Sequence, residues 1–340
     1  MIAPMRLPEP RGPLTSALCT DLTSGTLAAA TVELAERTAA AATDPLLDED
    51  LQLALAICYE LHYRGFDGVA ETWEWDPELL RLRAHLERAH TAALRALVGE
   101  FQVTDEPVDR QLTALIAADD GPSLSSYMSR SGSLEQWREY LTLRSVYHLK
   151  EADPHTFAVP RLSGRAKAAM VEIQADEYGG GSAERMHSRL FAGMMRDLDL
   201  DAGYGALWDD APAAAFASVN TMSLFGLHRR WRGAALGHLA CVEMTSSEPS
   251  RRYSAGLRRL GYDGSTTVFY DEHVEADAVH EQIASVDMCG SLVAEEPALA
   301  ADVLFGAACS LAMDGLAARH LLGAWEAGRS ALRGQRSPAA

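Results

Sequence analysis

The stretch Tyr270–Gln282 carries His273, Asp277 and His280. On a helix, residues at i, i+4 and i+7 share one stripe, so two imidazoles and a carboxylate would project together from a rigid rod. Such donors suit a redox iron or a zinc ion. The plain alternative is a solvated helix that is acidic and rich in histidine.

Other carboxylates and imidazoles stand where they need a reason. Glu184 and His187 form an E-x-x-H pair, the i, i+3 spacing that di-iron bundles use. Glu177 competes as the partner of His187 from ten residues upstream, across Gly179-Gly180-Gly181. Spacing alone prefers Glu184, although a glutamate in a first helical turn is also favoured by the helix dipole. Glu151 falls in register with Tyr140, Arg144 and Tyr147, at a helix C-terminal end where the dipole opposes a carboxylate. Glu243 sits among Leu239, Ala240 and Cys241, a setting in which an unpaired carboxylate is costly. Glu151, Glu177 (or Glu184), His187, Glu243, His273, Asp277 and His280 make three imidazoles and four carboxylates from separate helical regions, enough for two metal ions. Mixed imidazole and carboxylate without thiolate fits iron or manganese better than zinc, and the count exceeds what a zinc hydrolase needs. Facing helices of a bundle can aim such groups inward.

The elements that must hold these residues read as helices, because apolar positions recur at helical spacing and alternating runs are scarce. Helices are expected over Leu27–Ala42, Asp48–Arg64, Asp76–Val98, Pro107–Ala118 and Leu124–Ser129. Ser133 with Gln136 forms a capping box opening a helix that ends before Pro154. Arg165–Tyr178, Ala183–Leu198 (with His187 in its second turn), one long helix over Ala214–Thr245, the basic helix Ser250–Leu260 and one or two helices over Pro297–Arg333 complete the reading. Gly226, Gly233, Ala234, Gly237 and Ala240 would let a neighbouring helix approach closely. Trp73 and Trp75 read as packing anchors, and Glu60 and His62 as structural. The basic helix reads as a solvated face, with a docking patch as the alternative. Residues 1–25 are expected as a loose arm, 26–130 as auxiliary helices, 131–333 as the core and 334–340 as a disordered tail.

Composition narrows the classes. With 30 basic and 48 acidic residues the formal charge is −18, which argues against nucleic-acid binding and against anionic membranes, and tolerates a cationic substrate or a basic electron donor. No run of 18 apolar residues suggests a membrane span, and the N-terminus lacks a signal-peptide apolar region. The five cysteines form no CxxC pair and read as reduced thiols of a cytoplasmic protein.

From about Arg138 to Glu326 the sequence resembles the heme-oxygenase-like di-iron oxidases and oxygenases, the "iron-containing redox enzyme" family. The resemblance rests on EADPH from Glu151, VEIQADEYGGG from Val171, RMHSRLF from Arg185, VEMTSS from Val242 and YDEHVEADAVH from Tyr270. It implies an all-α, heme-oxygenase-like bundle with ligands Glu151, Glu177, His187, Glu243, His273, Asp277 and His280, and it prefers Glu177 to Glu184. It also implies two iron ions, O2 as co-substrate, an external electron donor and natural-product chemistry. N-oxygenation of an amine or amino acid is favoured; desaturation or oxidative C–C cleavage is the alternative, and a metal-free enzyme on the same scaffold a second one. Tyr147, Phe225, His228 and Met244 are candidate pocket residues, and a homodimer is the default assembly.

Overall fold

The computed structural model describes residues 5–334, including every side chain among them except those of residues 275–279. The fold is all-α, with no β-strand among the described residues. The helices are α1 (Pro13–Ser24), α2 (Ala29–Ala41), α3 (Glu49–Glu60), α4 (Pro77–Val98), α5 (Val108–Ala117), α6 (Leu124–Arg130) and α7 (Leu134–His148). They continue with the short α8 (Asp153–Thr156), α9 (Gly164–Glu177), α10 (His187–Asp197), α11 (Ala213–Leu227), α12 (Arg232–Thr245), α13 (Ser247–Arg259), α14 (Val268–Gln282), α15 (Ser291–Glu295) and α16 (Ala300–Glu326). A π-helical stretch, Ile283–Gly290, joins α14 to α15.

Local capping explains many boundaries. Asp76 accepts from the backbone N–H groups of Glu78 and Leu79, with Pro77 in the first turn. Ser133 and Gln136 make the expected reciprocal box on α7.

Residues 13–24 depart from the expected loose arm. Leu14, Leu18 and Leu22 are buried at successive helical turns. The cap of α1 comes from Asp50, whose carboxylate accepts from the N–H groups of Leu14 and Thr15 at 2.8 Å each. A cap supplied from 35 residues downstream leaves no local signature. Residues 1–4 and the tail beyond Gly334 lie outside the described residues.

The long helix expected over Ala214–Thr245 is two helices. The chain turns at His228 (φ −105°, ψ 118°), and the guanidinium of Arg161 takes the carbonyl groups of Gly226 and Leu227 that a continuing helix would have used. Beyond the break α12 packs tightly on α16. A Cβ on Gly237 would fall on the carbonyl oxygen of Val303, and one on Gly306 on that of Ala234, so two backbones meet where only glycine fits. The span Pro297–Glu326 is long and apolar enough to cross a membrane by length and composition, yet two-thirds of its most apolar window is buried inside the protein. Core packing accounts for its apolarity.

Three smaller readings are settled as well. Trp73 is buried and donates to the carbonyl of Leu22, whereas Trp75 is 64% exposed and anchors little. The arginines of α13 are committed within the chain: Arg259 donates to the carbonyls of Met128, Ser129 and Gly132, and Arg258 pairs with Asp271. The five cysteines are unpaired, and burial raises the thiols of Cys58 and Cys241 to about 12.

Candidate metal centre

Four side chains from four places in the chain converge in the core. One donor atom each from Glu151, Glu177, His187 and His273 lies within 4.8 Å of all the others.

Glu151 is not on a helix. The α-helix α7 ends at His148, three residues short of it, and Glu151 occupies the following turn, closed by Ala152 at φ 74°. That turn is pinned from outside. Lys150 pairs with Glu60 of α3 at 2.9 Å, both fully buried, and Tyr204 donates to the same carboxylate. Glu60 is therefore structural, as expected, and it ties the N-terminal helices to the loop of the site.

Glu177 is the last residue of α9, and His187 the first of α10. Between them the glycines 179, 180 and 181 all take positive φ (73°, 60° and 89°), which returns the chain on itself. His187 Nδ1 then lies 3.0 Å from Glu177 Oε2. His187 begins its helix, not the second turn of one, so Glu184 sits on a separate 3₁₀ turn, exposed, and bonded to the hydroxyl of Ser182. His273, on α14, donates its Nδ1–H to the Phe269 carbonyl at 2.7 Å, which leaves Nε2 facing Glu151 Oε1 at 3.7 Å.

A second group adjoins the first. His280, one residue pair short of the end of α14, has Nδ1 3.3 Å from Glu243 Oε2 on α12 and Nε2 2.9 Å from Asp176 Oδ2 on α9. Asp277 lies outside the described side chains. Glu151, Glu177, Glu243 and His273 all line one 20 Å³ cavity, room for about one water molecule.

Electrostatics follow from burial and pairing. Burial alone would raise the Glu151 carboxyl, but the His148 imidazole at 2.9 Å holds it well below the usual carboxylate range. Burial opposes charge on His187, yet the Glu177 carboxylate outweighs it and raises the imidazole. His280 is raised to about 9, first by the Glu243 carboxylate that faces its Nδ1 and then, against the pull of burial, by Asp176.

A family model described as iron-containing redox enzyme matches residues 138–315, just over half of the chain. The chain belongs to this family. The all-α, heme-oxygenase-like fold expected of an iron-containing redox enzyme is the fold found. A nitrosourea synthase from Streptomyces achromogenes subsp. streptozoticus is 25% identical over 145 residues, covering 43% of this chain and 31% of that protein. The match thus spans less than a third of the relative's length.

The residues fit the family's iron. Glu151 Oε2 and His187 Nδ1 are buried without a hydrogen-bond partner, as is Nδ1 of His280. Buried polar atoms are normally satisfied, and here His187 Nδ1 and His280 Nδ1 each face a carboxylate, those of Glu177 and Glu243, beside a cavity lined by carboxylates with no Lys or Arg. Imidazole and carboxylate together are the donors iron takes.

Of the expected pocket residues, Tyr147 lines the cavity. The other three do not. Phe225 is buried against Trp231 and Phe305, His228 bonds Glu87 at 2.9 Å, and Met244 packs half-buried on the core. The sequence reading also passed over residues that the fold brings in. His155 and Gln174 line the cavity, with His155 Nδ1 and Gln174 Nε2 buried and unpartnered. His148 and Asp176 hold Glu151 and His280. For His148 a signal existed, the H-x-x-E spacing to Glu151.

Proposed function

We propose that this protein is a non-heme di-iron oxygenase that oxidises the nitrogen of an amine or amino acid. The observation that carries the reading is the meeting of Glu151, Glu177, His187 and His273 within 4.8 Å, beside the Glu243–His280 pair. One ion would be held by the first four, and a second by Glu243 and His280, with Asp277 as the remaining expected ligand. Iron bound there supplies the electrons that activate O2. The balanced reaction places one oxygen atom in an N–H bond to give N–OH. The other oxygen leaves as water, with two electrons and two protons from an external reductant.

The chain's formal charge of −18 suits the approach of a cationic amine. His155 Nδ1 and Gln174 Nε2 are free to orient a polar substrate group. The nitrosourea synthase relative is named for a nitrogen-rich product, which agrees with this choice over desaturation or C–C cleavage.

The test is anaerobic loading with Fe(II), iron counting, and exposure to O2 with a panel of amines and aliphatic acids. Two irons per chain and a hydroxylamine product from an amine are expected. Failure to bind iron, or turnover of aliphatic acids alone, overturns the reading.

A further inference from the structure

Glu151 is held by a relay that also decides which of its oxygens is available. The Nε–H of Arg144 donates to His148 Nε2 at 3.0 Å. A guanidinium only donates, so that imidazole nitrogen accepts and carries no proton. The ring proton therefore sits on Nδ1, which lies 2.9 Å from Glu151 Oε1 and donates to it. Oε1 is engaged, whereas Oε2 is buried with no hydrogen-bond partner.

Nothing lets the relay slip. The His148 ring lies between Phe191 (centroids 4.8 Å apart) and Phe269 (5.2 Å, edge-on). Arg144 is anchored at its far end by Asp314 of α16, at 3.3 Å. Arg144 and His148 stand one helical turn apart on α7, and Glu151 follows three residues later in the turn. The spacing thus lets a rigid helix aim a carboxylate that lies beyond its own end.

We infer that Arg144 and His148 are positioning residues for Glu151: Arg144 fixes the His148 tautomer, and His148 holds Oε1, which sets the carboxylate's orientation and leaves Oε2 without a protein hydrogen bond for a metal ion to use. The role in metal binding rests on the iron reading above; the tautomer does not. Partners that orient a ligand in this way typically change metal affinity by about 10–100-fold when removed.

The experiment has two arms. In the apo protein labelled with ¹⁵N-histidine, long-range ¹H–¹⁵N correlation reads the tautomer of His148, assigned by its loss in His148→Asn. A neutral ring protonated on Nδ1 is expected in the wild type; a ring protonated on Nε2, or on both nitrogens, overturns the relay. Arg144→Leu should release the tautomer, and an unchanged pattern there removes Arg144 from the proposal. In the second arm, Fe(II) affinity is measured by chelator competition. His148→Phe keeps a ring between Phe191 and Phe269 but cannot donate, and a roughly 10–100-fold loss is expected. His148→Asn keeps a donor near the Nδ1 position and should restore most of the affinity. Equal affinity in the Phe variant and the wild type overturns the positioning role. A wild-type chain that takes up no iron overturns the iron reading instead, and the tautomer arm still decides the relay.

Discussion

His187 Nδ1 lies 3.0 Å from Glu177 Oε2, although three glycines of positive φ stand between their helices. Glu184, three residues before His187, is exposed and turned to Ser182. Glu177→Ala is accordingly expected to lower iron content by at least half, and Glu184→Ala to leave it unchanged. Iron per chain, measured after anaerobic loading and desalting, checks both. The reverse ranking would show that the closer spacing supplies the ligand.

Asp176 holds the far side of His280 at 2.9 Å, with its own side chain 58% exposed. Asp176→Asn keeps the shape and removes the charge. Its folding stability should match the wild type. Iron affinity at the Glu243–His280 half should fall about tenfold, read as one iron retained and one lost under limiting Fe(II). Retention of two irons at wild-type affinity would make Asp176 a bystander.

His90, which is not among the metal-centre residues, contributes to an acid limit on the fold. Gln52 donates to its Nδ1 at 3.0 Å, so Nε2 carries the proton and meets Thr221 at 2.9 Å. Burial lowers this imidazole to about 4, against about 6.5 in an unfolded chain. The unfolded state therefore gains a proton first as pH falls. The stability that neutral His90 confers is present above about 6.5 and is lost between there and about 4, about 3 kcal/mol at most. Urea denaturation from pH 7 to pH 4 should show that loss, with a shallower pH dependence in His90→Gln. An identical slope in the variant would assign the acid sensitivity to other groups.

Gly237 and Gly306 clasp α12 to α16 backbone on backbone. Gly237→Ala should cost about 1–3 kcal/mol as the helices are pushed apart, and because α12 carries Glu243 it should also weaken iron binding. Chemical denaturation and metal titration of the same preparation report the two effects. An unchanged denaturation midpoint would mean that the helix pair yields without cost.

What could be read from the sequence was what is encoded locally. The helix starting after Asp76 and the box of Ser133 and Gln136 announce themselves within four residues, and both were found where expected. Glu151, His187 and His273, whose donor atoms meet in the fold, were named together by the family resemblance; helical register did not place Glu151, which lies beyond the end of α7. Features made by distant contacts were not legible. The cap on α1 arrives from Asp50, and the end of α11 is set by Arg161. The choice between Glu177 and Glu184 turned on where α10 begins, and periodicity fixes boundaries poorly. Phe225 and His228 looked like pocket residues because composition cannot tell an aromatic aimed at a cavity from one aimed at Trp231 or Glu87.

Ala152, the residue that follows Glu151, is held at φ 74° with a side chain that disfavours it, at a cost of order 1–3 kcal/mol. Glycine would sit there without strain, and even after its greater freedom in the unfolded chain is subtracted an Ala152→Gly protein should tolerate more heat. The same change would loosen the one turn that carries Glu151. Thermal tolerance and fidelity of metal loading thus pull against each other at a single methyl group, and an engineer seeking a hardier catalyst would do better to begin elsewhere.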